Sequence, residues 1–133
     1  MTQKEEQLIK VFVLDVQQRA AYITYIGNHD LDTMYQIMNC NLIDVAIHSI
    51  EGQNFDFIVD DEGLLKSPVI PSVFSNNKNM LNVGSIIICN SNDGIFQSLS
   101  NEDIKLIQKH IKTMLYSTND SSPKIGVPVI CVD

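Results

Sequence analysis

NVGSIIICNSNDGIFQSLS, residues 82–100, followed by NEDIKLIQKHIKTML, residues 101–115, is the stretch on which the fold turns. Ile86 to Cys89 is an unbroken apolar run between Gly84 and Asn90, which reads as a strand buried on both faces at the centre of a sheet. Ser91-Asn92-Asp93-Gly94 is a tight turn, and Ile95 to Leu99 adds an edge segment. Ser100, with Asp103 three residues on, caps a helix whose first turn is acidic, as the helix dipole favours. Ile104, Ile107, Ile111, Met114 and Leu115 form one apolar stripe, with Lys105, Lys109 and Lys112 on another face, so the spacing predicts a long helix ending near Ser117.

Outward from this centre, Leu8 to Val16 is rich in β-branched residues and reads as a strand, preceded by frayed residues. Tyr22 to Ile26 returns as its hairpin partner. Asp30 is an N-cap for a short helix through Asn39, with Leu31, Met34, Ile37 and Met38 facing the core. Leu42 to Asp60 alternates with period two around Glu51-Gly52 and predicts a second hairpin. Asp60-Asp61-Glu62-Gly63 reads as a solvated turn, with Gly63 available for a positive φ. Leu64 to Met80 is irregular, its Pro68 and Pro71 arguing against a central strand, and a loop of this length is a natural binding surface. Ser117 to Lys124 has linker composition, and Ile125 to Val132 is an apolar tail expected either as an edge strand or against a neighbouring subunit. The expected fold is a single α+β domain over residues 1–133, a mostly antiparallel sheet of about five strands with one short helix and one long C-terminal helix.

Length and charge narrow the function. A chain of 133 residues, 44% hydrophobic, can bury a core without disulfides, and three widely spaced cysteines form no framework or metal pair. The net charge of −7, with Arg19 as the only arginine, argues against duplex nucleic acid as a partner. No run is apolar enough to span a membrane, and the polar, acidic N-terminus is unlike a signal peptide, which predicts a cytoplasmic protein. No phosphate-binding loop, dinucleotide fingerprint, zinc-protease helix or serine elbow is present, so no cofactor, metal or catalytic activity is expected. The candidate binding residues are Tyr22, Tyr25 and Tyr35 near Asn28 and His29, a possible stacking pocket for a base, and Lys78, Lys105 and Lys109 for an anion.

The order of hairpin, acidic turn, Pro-containing loop, N-V-G-S-I-I-I-C-N strand with its Asp-Gly turn, and S-L-S-N-E-D-I-K-L-I helix start resembles a family of small uncharacterised proteins of phages and mobile elements, over roughly Tyr22 to Ile111. The chain departs from that pattern at Ser72-Val73-Phe74-Ser75, where the family carries an arginine-containing segment, and in its tail from Lys124 to Asp133. The resemblance implies a non-catalytic protein that binds and neutralises a host defence factor. The alternative expectation is a small-ligand binder that sequesters a nucleotide signal, as a homo-oligomer completed by the tail.

Overall fold

The computed structural model describes residues 6–66, 68–117, 121 and 123–133. The expected fraying ahead of Leu8 and the linker after Ser117 lie partly outside these residues.

The chain begins with the antiparallel hairpin of β1 (Leu8–Asp15) and β2 (Ala20–Gly27), paired in register from Leu8 opposite Gly27 to Asp15 opposite Ala20. Helix α1 (Leu31–Met38) follows, capped by Asp30 and closed by Asn39 in the left-handed conformation. The hairpin of β3 (Ile43–Ile50) and β4 (Gln53–Asp60) comes next; both of its turn residues, Glu51 and Gly52, have positive φ, as a two-residue turn between twisted strands requires. A 3-10 turn (Gly63–Leu65) leads to β5 (Pro71–Ser75) and β6 (Met80–Val83). The central strand β7 (Ile86–Asn92) turns at Asp93-Gly94 into β8 (Ile95–Gln97), then α2 (Asn101–Lys109), β9 (Ile111–Tyr116) and β10 (Ile125–Val132) complete the chain.

Among the described residues, ten strands form two sheets rather than the single sheet of about five expected. The larger is antiparallel in the order β2-β1-β7-β4-β3, with β8 on the far end of β7; the smaller has the order β6-β5-β10-β9. Within the smaller sheet β5 and β10 run parallel. Ile86 and Ile88 of β7 join Phe12, Leu14, Phe57, Val73, Ile130 and Val132 in the core between the sheets. Ile87 and Cys89 point the other way, onto Met34 and Met38 of α1. The central-strand reading of the Ile run therefore holds on both faces.

Four expectations are corrected here. The long C-terminal helix stops at Lys109, and Ile111 to Tyr116 is strand β9, paired with β10 from Ile130 opposite Ile111 to Ile125 opposite Tyr116. Ile104, Ile107 and Ile111 fit helical spacing, but Ile111 reaches the same core from a strand, and the β-branched Ile111 and Thr113 suit the sheet once a partner strand is supplied. The tail is not an edge strand: β10 lies between β5 and β9, and Asp133 accepts hydrogen bonds from the backbone of Glu51 (2.9 Å) and Gly52 (2.8 Å). Pro128 is tolerated because β5 pairs with β10 only from Ile130 onward, which leaves Pro128 paired on one side. The Leu64 to Met80 segment is not loop throughout, since Pro71 starts the interior strand β5 at a position that requires no continuing ladder. Leu31, expected in the core, is exposed at the open start of α1.

Candidate functional site

The connection from β4 to β5 forms a built corner. Asp60 ends β4 with its side chain only 2% exposed, and Lys66 places Nζ 2.5 Å from its Oδ2. The same ammonium donates to the carbonyl of Asn39, 2.6 Å away, at the end of α1. Asp60 Oδ1 accepts the backbone N–H of Glu62 at 2.9 Å. The expected solvated turn is thus corrected: its first carboxylate is buried because a cation six residues later folds back onto it.

Between these charges the turn has little freedom. Leu65 N–H donates to the Glu62 carbonyl and Lys66 N–H to that of Gly63. Gly63 is buried against β6, and a Cβ there would lie 2.8 Å from Val83 Cγ2 and 3.0 Å from its carbonyl oxygen. Close approach rather than positive φ is what Gly63 supplies; among the glycines, positive φ falls at Gly52, Gly84 and Gly94. Leu64 and Leu65, 70% and 82% exposed, are held outward on this clamped turn. Leu64 lines a cleft of about 310 Å³ together with exposed Met80 and Leu81 of β6 and with Asp44 and Asp61. His48 Nε2 and Asn82 Oδ1, 2.7 Å apart, tie β3 to β6 below it.

On its other side Asp60 borders a second cavity of about 270 Å³, with Lys66, Met38, Pro68 and Gly84 in its wall. Cys40 is also near: burial first, then the Asp60 charge, raises its thiol pKa. Cys89, in the core, is pushed up to about 12 by burial and secondarily by Asp56. Cys131 is half-buried, whereas Cys40 and Cys89 are buried. Among the described residues, no three His, Cys, Asp or Glu side chains are grouped as a metal ion would need.

The residues singled out from the sequence are scattered. Tyr22 is opposite Val13 and Tyr25 opposite Lys10; three positions apart on one strand, they project from opposite faces of the sheet. Tyr35 packs on the α1 side of the core, so the three rings build no common pocket. Burial first and then the charge of Asp15 raise the Tyr22 phenol pKa. Asn28 is buried and structural: its N–H donates to the Gln7 carbonyl and its Oδ1 accepts the Gln7 N–H. His29 is exposed, its backbone N–H donating to Glu6 Oε1 at 3.2 Å. Lys109 pairs with Glu51 at 3.1 Å, and His110 Nε2 lies 2.8 Å from the same carboxylate, whose pKa the two neighbours lower, His110 most. Lys105 is exposed on α2. The end of the helix breaks the expected row, because Lys112 belongs to β9. There it meets Lys78, from the β5–β6 turn, across a cavity of about 330 Å³.

Lys66 and the buried character of Asp60 went unrecognised in the sequence. The one signal was two opposite charges bracketing a glycine and a Leu-Leu pair, and such spacing is common in solvated turns.

The family described as a domain of unknown function (DUF3846) matches residues 9–112, and the chain belongs to it. No match was found among curated proteins. None was found among solved structures. No helix among the described residues is long and apolar enough to cross a membrane.

Proposed function

We propose that this family member is a non-catalytic protein of phage or mobile-element type that binds and neutralises a host protein through the corner formed by Leu64, Leu65, Met80 and Leu81. The observation that carries the reading is the clamped Leu64-Leu65 pair. Two adjacent leucines lose apolar hydration only if something covers them, and the Asp60–Lys66 pair fixes them in place beforehand. A preformed turn costs little ordering entropy on association.

The chemistry of the partner follows from the rim. Asp44 and Asp61 flank the cleft, in a chain of net charge −7, so the complementary surface presents an apolar side chain beside Lys or Arg. A second copy of this chain fits poorly, since a two-fold contact would bring the same carboxylates together. The neutralising role rests on the resemblance to small phage and mobile-element proteins, and the binding role on the corner itself.

The test uses a host protein captured by the full chain and then purified. Its affinity for wild type is compared with that for Leu64→Asp and Leu65→Asp. Each substitution is expected to weaken binding at least tenfold, and added salt to weaken the wild-type complex. Unchanged affinity in both variants would remove the corner from the interface.

A further inference from the structure

We infer that the outer face of the smaller sheet carries a second site, for an organic phosphate of mononucleotide size, between Lys78 and Lys112. This goes beyond the protein-binding corner, with which it shares no lining residue. Register places Phe74 opposite Cys131 and Lys112 opposite Val129. Alternation turns these side chains away from Val73, Ile130 and Val132, which enter the core. With Met114 and the β5–β6 turn, they line an open cavity of about 330 Å³, within the size range of small-ligand pockets.

Charge and apolar surface together select the ligand. No Asp or Glu lines the cavity, although the chain is strongly acidic. Lys66 and Lys109 have carboxylate partners and Lys10 donates to Asn101, whereas Lys78 and Lys112 have neither kind of partner among the described residues. Two uncommitted ammonium groups match a phosphate monoester, which carries about −1.5 to −2 charges near neutral pH. Phe74 and Met114 offer an aromatic face and a thioether, against which a planar ring stacks. Lys78 is also held in place: it has φ 66°, its N–H donates to the Ser75 carbonyl at 2.8 Å, and Ser75 N–H donates to the Asn79 carbonyl at 2.9 Å. A left-handed lysine at a turn that glycine or asparagine would occupy more cheaply suggests that the side chain is wanted there.

Cys131 provides the readout. It is the half-buried thiol in this cavity, while buried Cys40 and Cys89 serve as internal references. Its alkylation by iodoacetamide in the full chain, followed by mass spectrometry, is measured with AMP, ribose 5-phosphate, adenosine and inorganic phosphate. AMP is expected to slow modification of Cys131 most, with adenosine and phosphate each much weaker. Lys78→Ala and Lys112→Ala should each raise the AMP concentration for half-protection about tenfold, the cost of one charged hydrogen bond. Both lysines are exposed, so wild-type thermal unfolding of the variants confirms that their fold is intact. No protection by any probe at millimolar concentration would overturn the site. Protection that survives the double lysine change would also overturn it, and equal protection by phosphate alone would overturn the organic class.

Discussion

Replacing Lys66 by Met removes a charge while keeping most of the apolar stem, and so isolates the clamp under the Leu64-Leu65 turn. The variant leaves the Asp60 carboxylate 2% exposed, with the Glu62 N–H as its remaining hydrogen bond among the described residues. Removing one member of a fully buried pair costs about 3–5 kcal/mol. Here Lys66 is itself 37% exposed and a cavity of about 270 Å³ adjoins Asp60, so water can partly replace the ammonium. The expected loss is therefore about 2–3 kcal/mol, below the fully buried range. With an unfolding entropy of roughly 2.1 cal/mol/K per residue over 133 residues, the melting temperature should fall by about 7–11 °C. The assay is urea and thermal unfolding followed by circular dichroism, since the chain has no tryptophan. Adding Asp60→Asn to Lys66→Met should recover part of the loss, because no uncompensated charge remains. Thermolysin should also cut the single variant faster at Leu64 and Leu65. A loss under about 0.5 kcal/mol, the scale of an exposed ion pair, with unchanged proteolysis, would refute the clamp.

Gly63→Ala should cost about 1–3 kcal/mol in the same unfolding assay, because the added methyl meets Val83 Cγ2 at 2.8 Å and the backbone behind it. Ser100→Ala should cost about 1 kcal/mol through loss of the N-cap on α2. Asp103 shows a pH effect of defined sign. Desolvation acts to raise its pKa, but hydrogen bonds from Ser100 N–H, Gln53 and Asn90 outweigh it and the net shift is downward. Its stabilisation is therefore fully present above the unfolded carboxylate value of about 3.9 and is lost as pH falls below that, through the folded value. Asp103→Asn should flatten this part of a stability profile recorded between neutral and acid pH. Thiol alkylation of the native chain should be fastest at Cys131 and slowest at Cys89, which is fully buried with its pKa near 12.

Much of the fold is written in local pattern. The Ile86 to Cys89 run, the alternation of Leu42 to Asp60, and the caps at Asp30 and Ser100 each depend on neighbours within a few residues, and each takes its expected form. What escaped depends on distant partners. Ile111 to Tyr116 is a strand because β10 lies alongside it, and Pro71 heads an interior strand because β10 covers its later residues. The same limit applies to the sites. Tyr22 and Tyr25 are close in sequence, but strand alternation separates them, whereas Lys78 and Lys112 are far apart and sheet pairing brings them to one cavity. Lys66 was hidden because its ammonium is held in part by the Asn39 carbonyl at the end of α1, a partner distant in the chain.

The most direct test of the corner as an interface is site-specific photocrosslinking in host cells, with a benzophenone side chain at position 65 and, as control, at position 105 on the exposed side of α2. A discrete adduct with one host protein from position 65, absent from position 105 and abolished by Leu64→Asp, is the predicted result. No adduct from position 65, or the same adducts from both positions, would contradict it.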